Sequence, residues 1–168
     1  MSNAKLSSFY DLAKSKGARD VLIISTATVL TAPWVRIKCQ FGCDGYGERL
    51  TCPPYSPTWE QTRQILDSYR KALLIHGDEG TDIRKIVVEL EREFFLSGYY
   101  KSFGMSSGPC NLCPTCNVKK PCVNLNARPS MEACGIDVFH TARNHGLPIE
   151  VLTSTNCKAN YYGLVLIE

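Results

Sequence analysis

The chain contains no apolar run near the roughly 18 residues that a membrane-spanning helix needs, so a membrane protein is not expected. Its basic residues form no stripe interleaved with aromatics. The 19 Lys and Arg stand against 16 Asp and Glu, leaving a scattered +3, too little for a nucleic-acid partner. It lacks a phosphate-binding glycine loop of the GxxxxGK type, a GxGxxG turn after a strand, an HExxH pair and a GxSxG elbow. Nucleotide hydrolysis, dinucleotide binding, zinc-protease chemistry and serine catalysis therefore have no support. No charged start followed by an apolar stretch and a small-residue cleavage site is present, which leads us to expect a cytoplasmic protein. No repeat at a fixed period points to a solenoid.

What the chain has in excess is cysteine: nine in 168 residues, an odd number gathered mainly into two tight groups. Without an export signal, that pattern argues against a disulfide framework and for metal ligation. The length suits one domain, residues 1–168, able to bury a core without help from a metal. Two Cys-rich loops, at about 39–59 and 108–128, are expected to hang from it.

The second group is the better defined. GPCNLCPTCNVKKPC carries C-x2-C-x2-C-x5-C, with Cys110, Cys113, Cys116 and Cys122 as candidate ligands. Two-residue gaps let neighbouring thiolates wrap one compact inorganic core, as in bacterial ferredoxin loops, although there the fourth cysteine follows after three residues. Gly108, Pro109, Pro114 and Pro121 suit a loop of fixed shape, and Lys119 and Lys120 can offset a cluster's negative charge. A zinc knot on the same four thiolates is the alternative. Zinc sites usually pair two C-x2-4-C units across a longer stretch, and three closely spaced cysteines crowd a single ion.

The first group, CQFGCDGYGERLTCPP, places Cys39, Cys43 and Cys52 in a C-x3-C-x8-C pattern. Three thiolates can hold a second 4Fe–4S cluster with one iron open to Cys134, Cys157, a histidine, water or a substrate. Structural zinc is again the competing assignment. Exchange of Cys52 and Cys122 between the two sites is a further arrangement, because the cysteine of a ferredoxin Cys-Pro ligates a cluster anchored mainly elsewhere. Cys134 reads as a core thiol in a helix and Cys157 as incidental in a polar loop. His76, His140 and His145 read as structural or solvated rather than as ligands. Arg128, Glu132 and Asp137 are candidates to line a site, with Glu132 also suited to a helix's first turn.

Periodicity places helices over about 5–16, 57–68, 82–97 and 128–145, with Phe9, Leu12 and Ala13 on one side of the first. In the third helix Ile83, Val87, Leu90 and Phe94 form the apolar face, behind Thr81 as N-cap and ahead of Gly98. Strands are expected at 20–25, 70–76, 99–106, 149–153 and 161–167. This alternation predicts an α/β or α+β domain: a mixed, largely parallel sheet of about five strands with flanking helices.

Taken together, CQFGCDGYGERLTCPPYSPT, GPCNLCPTC with KKPC, RPSMEACGIDVFHTA and NYYGLVLIE resemble the metal-binding family called domain of unknown function 2284. The resemblance runs from about Asp20 to Glu168. It implies a small bacterial or archaeal cytoplasmic protein, with Cys39, Cys43, Cys52, Cys110, Cys113, Cys116 and Cys122 as metal ligands. It carries no reaction. The function expected is that of an iron–sulfur protein for electron transfer or redox sensing, with a redox partner protein. A 4Fe–4S cluster on four thiolates carries about −2 when oxidised. Arg36, Lys38, Arg49, Lys119, Lys120 and Arg128 would compensate that charge. A cluster enzyme acting on a small-molecule substrate at an open iron, and a zinc-stabilised interaction module, are the alternatives.

Overall fold

In the computed structural model, which describes residues 3–168 with side chains from Ser7 onward, the chain builds one sheet covered on both faces. The elements run α1 (Asn3–Ser15), β1 (Asp20–Ser25), α2 (Pro33–Gly42), α3 (Trp59–Asp67), β2 (Lys71–Gly77), α4 (Ile83–Leu96), β3 (Phe103–Met105), α5 (Val138–Asn144) and β4 (Tyr161–Leu166). Short 3-10 turns cover Thr26–Thr28 and Glu132–Cys134. Among the described residues, no helix is long and apolar enough to cross a membrane.

The sheet order is β1-β2-β4-β3, and every neighbouring pair is antiparallel. This corrects the expected largely parallel, five-stranded sheet. The alternation of strand and helix was legible, but it does not say which strands become neighbours. Strands β2 and β3 both run opposite to β4, so they run parallel to each other around α4, in the manner of a split βαβ unit. Strand β4, arriving last, takes the gap between them.

Strand β2 is buried from both sides, and its alternation separates two cores. Leu73 and Ile75 face α1 and α4, with Phe9, Ala13, Ile83, Val87, Leu90 and Phe94. Phe9 and Phe94 stack with ring centres 3.9 Å apart. Ala72 and Leu74 face the opposite layer, with Met131, Cys134, Ile136, Val138 and Tyr162. That second layer carries the cysteine loops.

Local chemistry explains the helix boundaries. Thr58 and Gln61 cap α3 reciprocally: the Thr58 hydroxyl accepts from the Gln61 N–H at 3.3 Å, and the Gln61 amide oxygen accepts from the Thr58 N–H at 2.9 Å. Helix α4 is capped by Asp82, not Thr81, through the Lys85 N–H at 3.0 Å. Its expected apolar residues Ile83, Val87, Leu90 and Phe94 are all buried.

Three further expectations are corrected. The helix expected over 128–145 is broken after Cys134, because Gly135 adopts φ +75° and a Cβ there would strike Trp59 at 2.7 Å. Helix α5 starts afresh behind Asp137, whose carboxylate accepts from the His140 N–H at 3.0 Å. Residues 149–153 form no strand, since β4 already has a partner on each side. Finally, the segment read as loop from residue 39 begins inside α2, which Pro33 starts at a position where its missing N–H costs nothing.

Candidate metal centre

The first cysteine group is spread over the end of α2 and the turns that follow. Cys39 lies within α2, Cys43 is the residue that ends it, and Cys52 is buried ahead of the cis Pro53-Pro54 bond. Two sets of hydrogen bonds fix the turn after Cys52. Its carbonyl accepts from the Tyr55 and Ser56 N–H groups at 3.0 and 3.1 Å. The Arg36 guanidinium donates to the carbonyls of Pro54, Ser56 and Pro57 at 3.3 to 3.4 Å. The Ser56 hydroxyl then donates to the Ala133 carbonyl at 2.6 Å, tying the loop to the 3-10 turn.

Gly45 shows how closely the sulfurs gather. A Cβ on this residue would stand 3.2 Å from Cys52 Sγ, 3.6 Å from Cys43 Sγ and 3.6 Å from Pro109 Cβ. Both thiols and the start of the second loop thus surround one point. Burial pushes the Cys39 thiol up, and the neighbouring Cys43, Glu132 and Cys52 add to it. Burial also pushes up Cys52, against a lowering contribution from Thr51. A bound cation reverses this preference, since it favours the thiolate.

The second group lies on the irregular segment between β3 and the 3-10 turn. Cys110, Cys113 and Cys116 are half-buried and Cys122 is exposed, and all four border one small cavity together with Arg49, Leu50 and Thr51. The backbone N–H of Leu50 points at Cys116 Sγ at 3.5 Å. The Arg49 guanidinium donates to the Cys110 carbonyl at 2.6 Å. The two loops are therefore neighbours, joined by Arg49-Leu50 on one side and Pro109 on the other. Among the described residues, no three Cys, His, Asp or Glu side chains stand close enough to hold a metal ion as placed.

The other candidates occupy different positions. Cys134 is fully buried in the core, and its thiol is pushed up to about 12 by desolvation. Cys157 sits in a surface loop, where the Ser154 and Thr153 hydroxyls lower it to about 7. His76 lies between Asp20, 2.7 Å from its Nδ1, and Asn160, 2.8 Å from its Nε2. His140 pairs with Asp137 at 2.6 Å, and His145 with Thr28 at 2.8 Å. Arg128, expected beside a cluster, is instead occupied by a two-pronged pair with Glu91, both contacts at 2.6 Å. Lys119 and Lys120 are exposed beside the second loop.

Sequence reasoning missed a cavity of about 520 Å³ beside the first group. Cys39, Cys43 and Cys52 form part of its wall, and Trp34, Ile136, Val138, Phe139, Leu152 and Tyr162 supply much of the rest. These residues come from separate parts of the chain with no shared spacing. Of Arg128, Glu132 and Asp137, the three noted as able to line a site, Glu132 alone borders it.

Fold and site together define a class: an α+β protein whose antiparallel sheet carries two adjoining thiol-rich loops on one side. Within that class, the chain belongs to the family of predicted metal-binding proteins (DUF2284), whose model matches residues 22–167. No curated protein and no solved structure matches the chain.

Proposed function

We propose that this metal-binding protein carries a 4Fe–4S cluster on Cys110, Cys113, Cys116 and Cys122 and serves in one-electron transfer or redox sensing. The observation that carries this reading is the C-x2-C-x2-C-x5-C spacing on a single loop whose four cysteines border one cavity. A bound cluster of this kind supplies reversible one-electron chemistry. The chain's own contribution is to hold four soft donors around it and to tune them. The Leu50 N–H aimed at Cys116 Sγ is the kind of bond that raises a cluster's reduction potential.

The choice of a cluster over zinc rests on spacing: zinc sites usually pair two C-x2-4-C units across a longer stretch, whereas three cysteines each two residues apart crowd a single tetrahedral ion and suit a polynuclear core. Val123 and Leu125 on the same loop are each 88% exposed. Their exposure beside Lys119 and Lys120 also suits contact with a redox partner protein. Cys39, Cys43 and Cys52 are proposed as ligands of a second centre.

The test is anaerobic purification from a cytoplasmic host, followed by iron, labile sulfide and zinc determination and electron paramagnetic resonance before and after reduction. Iron and sulfide near four of each per site, with a signal that appears on one-electron reduction, is expected. Zinc without sulfide would replace this reading with a structural zinc module. Cys116→Ser should lose most of one site's iron, while Cys134→Ser should lose none.

A further inference from the structure

Away from Cys39, Cys43 and Cys52, the cavity beside the first cysteine group has a mostly apolar wall. At about 520 Å³ it lies within the roughly 300–1,000 Å³ usual for small-molecule sites. Its inner wall is fixed: Ile136 and Tyr162 are almost wholly buried, and Tyr162 is anchored by its hydroxyl donating to the Pro148 carbonyl at 2.5 Å. Its outer wall carries apolar side chains that reach into water instead of packing. Trp34 is 45% exposed, Val151 66% and Leu152 53%. Large apolar groups left open around a preformed hollow favour an apolar occupant.

One polar group in this wall has unused capacity. Glu132 lines the cavity, and its Oε2 is shut from solvent with no hydrogen-bond partner. Leaving such an atom unpaired is costly, so a partner supplied by an occupant would recover stability. The terminal torsion of a glutamate is broad, so a partial turn of the carboxyl brings an oxygen to the cavity face at little cost. Three other polar groups of the wall are engaged elsewhere: Asn160 with His76, Ser130 with the Ala133 N–H, and Glu150 with Arg143.

We propose that this cavity binds a small, mostly apolar molecule bearing one hydroxyl or amide group, which pairs with the Glu132 carboxyl while its body lies among Trp34, Val138, Phe139 and Leu152. A hydroxyl or an amide can both donate and accept, so it suits the carboxyl in either protonation state. With Cys39, Cys43 and Cys52 in the same wall, the occupant lies beside whatever the first group holds. This goes beyond electron transfer and does not depend on what Cys110, Cys113, Cys116 and Cys122 hold.

The test is calorimetric titration of the anaerobically purified chain with benzyl alcohol, benzamide and ethylbenzene, with iron and sulfide measured on the same sample. One-to-one saturable binding is expected for all three, with the two polar probes about fivefold tighter than the hydrocarbon. Glu132→Leu should erase that preference while ethylbenzene still binds. Val138→Trp, which fills the cavity, should abolish binding of all three. Val151→Trp, on the exposed border, should weaken it without touching the core if Val138→Trp fails to fold. Absence of saturation, binding that survives both tryptophan variants, or a polar preference that survives Glu132→Leu overturns the proposal. Binding in a sample without iron or sulfide would sink the cluster assignment and leave the cavity proposal standing; the reverse result would do the opposite.

Discussion

The Arg49 guanidinium reaches across to the carbonyl of Cys110 at 2.6 Å, so the first cysteine loop holds the first ligand position of the second. A charged donor on a backbone acceptor contributes about 1.5–3 kcal/mol, and Leu50 next to it sets the N–H that points at Cys116 Sγ. Arg49→Ala should therefore speed iron release to a chelator about tenfold or more, with overall stability changed far less. Arg49→Lys keeps the charge but loses the planar fork, and should fall between the two. Equal release rates in all three proteins would show that the loops are independent.

Glu91 and Arg128 anchor the other end of the second loop. Both side chains are largely buried, and the pair is two-pronged, with the Phe103 ring 5.6 Å from the guanidinium carbon. Removing one partner of such a pair leaves a poorly solvated charge, at a cost of about 3 kcal/mol. Glu91→Ala should lower the unfolding free energy from denaturant titration by that much, and Glu91→Gln by less, because Gln retains an acceptor for Arg128. A change under about 0.5 kcal/mol for Glu91→Ala would place the pair with ordinary surface contacts.

Gly45 gives the first group its own test. A methyl at this position must fit 3.2 Å from Cys52 Sγ and 3.6 Å from Cys43 Sγ, so the sulfurs have to yield. Gly45→Ala should cut metal bound by the first group by half or more, read as iron per chain in a Cys116→Ser background, where the second group holds little. Unchanged content would mean that Cys43 and Cys52 do not share a centre.

Much of this was legible before any coordinates. The apolar face of α4 follows from a period of 3.6 and the strand at 20–25 from a short apolar, β-branched run, because both are local rules. Strand order is not local. The insertion of β4 between β2 and β3 depends on where residues 106–160 lead the chain. The approach of Arg49 to Cys110 spans 61 residues and has no periodic signature. The break at Gly135 was masked by the good helix formers Met131, Glu132 and Ala133 ahead of it, and it is decided by contact with Trp59, which lies far off in sequence. The cavity beside Cys39 escaped for the same reason, being built from pieces between residues 34 and 162.

Cys157 separates reactivity from metal binding. The hydroxyls of Ser154 and Thr153, 3.4 and 3.7 Å from its sulfur, stabilise the thiolate and bring the group down to about 7. A lowered thiol is ionised over more of the pH range, so alkylation at Cys157 should rise steeply through pH 7 and level off above about pH 8. Ser154→Ala removes the strongest contribution and should move that midpoint upward, toward the ordinary value for a free cysteine. Cys134, pushed up to about 12 in the core, should stay unmodified throughout unless the chain unfolds. Peptide mapping after brief iodoacetamide treatment across pH 5–9 reads both residues in one experiment. A Cys157 profile with its midpoint near 8.5 in the unsubstituted chain, or one unmoved by Ser154→Ala, would show that the hydroxyls do not act on the sulfur in solution.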